Sequence, residues 1–77
     1  MTETEKAVAD MEDKKYRIDT DYQGYVAIEY VSGVAAYVYR AYMHPKKNCF
    51  TLYPMKGGYL APGADVRRKT IYFDEIK

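Results

Sequence analysis

The sequence predicts an α+β fold, with a short N-terminal helix packed on a four- to five-stranded antiparallel meander. Three observations carry this expectation. Ala7, Val8 and Met11 fall at helical spacing among acidic residues. From Tyr16 onward Tyr, Val, Ile and Thr dominate, and these side chains favour strands. Short turn signals separate the strand-forming runs, so consecutive strands lie antiparallel. The alternative architecture is a small SH3- or OB-like β-barrel. The domain division is an acidic helix or arm over residues 1–15 and one small β-rich domain over 16–77.

The helix is expected over 2–15. Thr2 and Glu5 have capping-box spacing, acids crowd the first turn, and Lys14 and Lys15 suit the negative pole. Strands are expected near 16–19, 24–31, 34–43, 49–54 and 66–74. Ser32-Gly33 suits a two-residue hairpin turn, with Gly33 able to take positive φ. His44 to Cys49 is a second turn, in which Pro45 presets a corner and Asn48 tolerates the left-handed region. Lys56-Gly57-Gly58 and Ala61-Pro62-Gly63 punctuate a loop from about Pro54 to Asp65. With Ser32-Gly33 as a two-residue turn, Val26, Ile28 and Tyr30 share a face with Ala35, Tyr37 and Tyr39. The other face then carries Ala27, Glu29, Val31, Val34, Ala36 and Val38. Neither face is plainly polar. A sheet of this kind completes its burial by its own curl or the helix on one side, and by a partner or a second copy, as a homodimer, on the other.

A chain of 77 residues is one domain with a thin core, burying about 60% of its unfolded surface. The single cysteine, Cys49, excludes an intrachain disulfide and fits a reducing compartment. No apolar run reaches the ~20 residues of a membrane span, and the acidic N-terminus lacks a signal pattern. The expected location is therefore cytoplasmic, with no membrane partner. Net charge is only +1 but unevenly spread. Residues 1–13 carry a local balance of −4 and residues 40–69 one of +6. Such a dipolar surface steers an anionic partner or pairs within the molecule.

No acid falls between Glu29 and Asp65, and that gap holds Tyr30, Tyr37, Tyr39, Tyr42, Tyr53 and Tyr59. Arg40, Lys46, Lys47 and Lys56 are spaced among them. A ring beside a cation can stack on a nucleobase while the cation meets a phosphate. Tyr37, Tyr39, Tyr42 and Tyr53 are the stacking candidates. Arg40, Lys46, Lys47, Lys56, Arg67, Arg68 and Lys69 are the phosphate-holding candidates. The competing account makes these tyrosines the core, since Trp is absent and only Phe50 and Phe73 add bulk. Ten tyrosines exceed what so small an interior holds. The Arg67-Arg68-Lys69 run also suits protection of an edge strand.

Catalytic patterns are sparse. His44 and Cys49 close the second turn and are expected to sit opposite one another. They are the only His and Cys, however, and no nucleophile motif surrounds them. Ser32 is a lone turn serine, and Gly57-Gly58 lacks the spacing of a phosphate loop. No cofactor or metal site is expected, nor an enzyme. The expected function is a non-enzymatic module that binds DNA or RNA through exposed tyrosines and basic loops. The alternative is a protein-binding inhibitor or adaptor, of phage or mobile-element type, acting through a Tyr-rich face.

Overall fold

The structure, a computed structural model, describes residues 15–76. Five strands follow one another in the sheet in chain order: β1 (Tyr16–Asp21), β2 (Gly24–Val31), β3 (Val34–His44), β4 (Cys49–Tyr59) and β5 (Lys69–Tyr72). Every strand pair is antiparallel. The only helical pieces among the described residues are single 3-10 turns at Pro45–Lys47 and Phe73–Glu75. The α+β expectation is therefore corrected to an all-antiparallel sheet curled into a half-barrel, which matches the barrel alternative. The expected helix over 2–15 lies outside the described residues except for Lys15, which is coil.

The curl has a physical cause. Two-sided apolar strands must bury one face, and so short a chain has no second layer among its described residues. Rolling the sheet brings Tyr16, Ala27, Tyr37, Tyr39, Ala41, Phe50, Leu52 and Ile71 together inside, with Ile18, Ala64 and Ile76 against them. Past the Phe73–Glu75 turn, Ile76 forms a single parallel bridge with Tyr16 and draws the two sheet edges together at one end. Along the rest of the β1 edge, the Asp19 carboxylate accepts the Thr20 N–H at 2.8 Å. With Arg17 beside it, this blunts the edge against strand addition.

The expected face assignment fails for one reason. Ser32 and Gly33 do form the two-residue turn, both at positive φ (52° and 79°), with Val31 opposite Val34 and Tyr30 opposite Ala35. The register then slips, and Glu29 pairs with Tyr37 instead of Ala36. Ala36 is one extra residue in β3, a β-bulge. Because side chains alternate with period two, that residue exchanges the faces of everything beyond it. Tyr37 and Tyr39 join Ala27 and Glu29 inside, while Val38 joins Ile28 outside. The Ala36 carbonyl accepts the N–H groups of Leu60 and Ala61 at 2.9 and 3.0 Å, so the bulge also anchors the last loop.

The expected loop from Pro54 is likewise corrected, because β4 continues to Tyr59. Tyr39 pairs with Pro54 and Tyr37 with Tyr59, so Met55 to Gly58 make an excursion opposite Val38. The excursion wraps the Tyr37 ring, whose hydroxyl donates to the Met55 carbonyl. Gly58 permits the return, since a Cβ there would collide with the Val38 carbonyl oxygen. The loop that remains spans 60–68, and β5 is shorter than the expected 66–74.

Candidate nucleic-acid interface

The β3–β4 hairpin gathers Tyr42, Tyr53, Lys46, Lys47 and Lys56 of the candidate set, the two tyrosines on its outer face. His44 pairs with Cys49, Tyr42 with Thr51 and Arg40 with Tyr53. Alternation puts all six side chains on one side of the sheet. Tyr42 and Tyr53, 54% and 40% exposed, meet diagonally with ring centroids 5.5 Å apart and planes at 82°. The second diagonal is polar, His44 Nε2 lying 2.8 Å from Thr51 Oγ1. Lys46 and Lys47 lie exposed in the 3-10 turn at one end of the hairpin. Lys56 is exposed in the excursion beyond Tyr53. On the neighbouring β5, Tyr72 is opposite Cys49 and 55% exposed. Lys47 and Tyr72 share an open groove with Asp74 and Glu75.

The remaining candidates are buried, engaged within the molecule or outside this face. Tyr37 and Tyr39 are 7% and 0% exposed and cannot stack on a ligand. Arg40 lies on the outer face, but its guanidinium grips Asp21 with two bonds of 3.0 and 2.9 Å and also reaches the Tyr25 carbonyl. That grip holds the Asp21 carboxyl well below its ordinary value, at about 2, and raises Arg40 in turn. Asp21 also accepts the Gln23 and Gly24 N–H groups, so the β1–β2 turn is locked from β3. Arg67 is exposed and pairs with Asp65 at 3.1 Å. Arg68 is exposed beside it.

Lys69 is turned inward, where it completes a buried polar cluster. Its ammonium donates to Glu29 Oε1 at 3.0 Å, to the Asp65 carbonyl at 2.6 Å and to Tyr16 Oη at 3.3 Å. It also lies 5.1 Å from the centroid of the Tyr39 ring. The Tyr39 hydroxyl donates to Glu29 Oε1 at 2.6 Å, and Glu29 Oε2 accepts the Asp65 N–H at 3.2 Å. Burial, then the bond to Glu29, pushes the Tyr39 hydroxyl far above its ordinary value. Burial raises Tyr16 as well, against the opposing pull of Lys69. Every polar group in the cluster has a partner, as a buried carboxylate requires. Its work is structural, tying the Asp65 peptide to β2, β3 and β5.

His44 and Cys49 are opposed as the turn predicts, but the imidazole bonds Thr51, and the thiol is 4% exposed. Among the described residues no group of three His, Cys, Asp or Glu side chains could hold a metal ion. No described helix is long and apolar enough to cross a membrane.

Sequence reasoning omitted three residues of the outer face. His44 and Thr51 were within reach: pairing His44 with Cys49 fixes the hairpin register and puts Thr51 beside Tyr42. Tyr72 had no comparable signal, because its place depends on how β5 docks against β4. Comparison with protein-family models, curated proteins and solved structures finds no match to this chain.

Proposed function

We propose that this chain is a small non-enzymatic binding domain that takes single-stranded nucleic acid across the outer face of β3 and β4. One observation carries the reading: two exposed tyrosine rings touch at the middle of a face that has lysines at both ends. Tyr42 and Tyr53 supply the stacking surface. Lys46, Lys47 and Lys56 supply charge, and no ion pair engages them among the described residues. Arg68 adds charge outside the strip.

Binding of fluorescently labelled single strands, measured across a salt series, tests the proposal. Each phosphate contact contributes roughly 0.7 to the log–log slope for single strands. Removing Lys46 and Lys47 together therefore lowers the slope by about 1.4. Tyr42→Ala or Tyr53→Ala weakens binding by ~1–3 kcal/mol per stacked base. An affinity indifferent to salt, or none for DNA or RNA, retires the proposal.

A protein partner is the second reading, and the charges favour it at two points. Asp74 and Glu75 line the groove beside Lys47, where they would repel a phosphate chain. Arg40 and Lys69 are already committed to carboxylates within the molecule. Deletion of residues 1–13 separates the readings. It removes acidic charge, so nucleic-acid affinity holds or rises, whereas a protein interface that uses this segment weakens.

A further inference from the structure

The two diagonals of the outer face enclose an open trough of about 420 Å³ lined by Tyr42, His44, Thr51 and Tyr53. Its two long walls differ in chemistry. One is aromatic, and its rings stand nearly perpendicular at 82°. Parallel rings would suit a continuous run of stacked bases. Perpendicular rings offer a face and an edge, an arrangement that holds one flat ligand in one place. The other wall is the hydrogen-bonded pair of His44 and Thr51, 2.8 Å apart.

That pair keeps unused capacity. An imidazole has two ring nitrogens, and a hydroxyl has one proton and two lone pairs. If Nε2 accepts the Thr51 proton, Nδ1–H remains a donor and the Thr51 oxygen an acceptor. If Nε2–H donates, the roles exchange. In both tautomers one donor and one acceptor remain on adjacent groups. Nucleobase edges carry both donors and acceptors, so in either tautomer the His44 nitrogen or the Thr51 hydroxyl has a group it can meet.

Building on the proposed nucleic-acid reading, we infer that the trough is a subsite for a single nucleobase. The base stacks on the tyrosine wall and its polar edge is read by His44 and Thr51. The strip therefore has a base preference at this position, and Lys46 and Lys47 hold the adjoining phosphates without regard to sequence.

The test measures affinities of four labelled octamers, each of a single base: oligo(dA), oligo(dC), oligo(dT) and oligo(rU). It compares the wild type with His44→Phe and Thr51→Val, which keep a ring and a β-branched shape while removing the polar atoms. In the wild type the best and worst octamers differ by about three- to tenfold, the range one net hydrogen bond supplies. Either substitution narrows that spread while leaving the salt slope unchanged. Equal affinities across the four octamers, or a spread that survives both substitutions, overturns the subsite and leaves the nucleic-acid reading standing. If no octamer binds, the nucleic-acid reading itself fails and the subsite with it.

Discussion

Replacing Lys69 by Met keeps most of the side chain's bulk and removes its charge from the buried cluster. Glu29 then retains the Tyr39 hydroxyl at 2.6 Å and the Asp65 N–H at 3.2 Å, but loses the ammonium at 3.0 Å. The Asp65 carbonyl and the Tyr16 hydroxyl each lose a donor as well. The two charged side chains are only 14% and 7% exposed, so water cannot easily take the missing partner's place. Removing one member of such a pair costs about 3–5 kcal/mol. Scaled per residue, a domain of this size has roughly 4–11 kcal/mol in all. The single substitution therefore removes about a quarter or more of the stability. Urea unfolding followed by tyrosine fluorescence measures it, with no tryptophan to mask the signal. The double variant Glu29→Met/Lys69→Met buries no orphan charge. The Tyr39 hydroxyl still donates to the Asp65 carbonyl at 3.0 Å, so only the Asp65 N–H and the Tyr16 hydroxyl lose their partners, at ~1–3 kcal/mol each. It should thus unfold at a higher urea concentration than the sum of the two single variants implies. A Lys69→Met cost below about 1 kcal/mol, or strict additivity in the cycle, would refute the view that this is a desolvated, interdependent pair.

Three further outcomes follow from the same geometry. The Asp21 carboxyl sits at about 2, below its ordinary 3.8, so its bond to Arg40 contributes above the ordinary value and is lost as pH falls through the folded one. Asp21→Asn should accordingly flatten the decline of the urea midpoint between about pH 4 and 2. The Tyr39 hydroxyl is raised above its ordinary 10.0, so its contribution is complete below that pH and disappears as pH rises toward the folded value. Tyr39→Phe should soften the loss of stability above about pH 10, measured by urea midpoints in an alkaline series. Gly58→Ala forces a methyl group against the Val38 carbonyl and should cost about 1–3 kcal/mol, visible as a lowered thermal midpoint. An unchanged midpoint would show that the excursion does not return to β3 at Gly58.

The strand order, the Ser32-Gly33 turn and the opposition of His44 and Cys49 were legible because each rests on local chemistry. Positive φ, a proline corner and short connections all act within a few residues. The inside–outside assignment was not legible. Ala35 and Ala36 are adjacent small apolar residues, and Val38 is as apolar as its tyrosine neighbours, so nothing in the alternation marks Ala36 as the extra residue. Glu29 gave half a signal, being the one acid in an apolar strand. Its partner Lys69 stands forty residues away within a basic run that reads as a solvated edge. The return of β4 at Gly58 was hidden by the same kind of distance, because two glycines in sequence resemble a loop until Tyr37 gives them something to wrap. The outer face was partly legible. The excess of tyrosine implied exposed rings, but the selection of Tyr42 and Tyr53 over Tyr37 and Tyr39 depends on the bulge.

The grip on the Asp65 peptide also bears on the order in which the chain assembles. The hairpins join residues close in sequence and close cheaply, whereas the Glu29 carboxylate and the Asp65 amide must meet across 36 intervening steps of chain. Such a contact belongs to the late side of the folding barrier. Loosening it should then hasten escape from the native state while the speed of reaching that state stays nearly the same, so its chief effect would be on how long the finished fold persists.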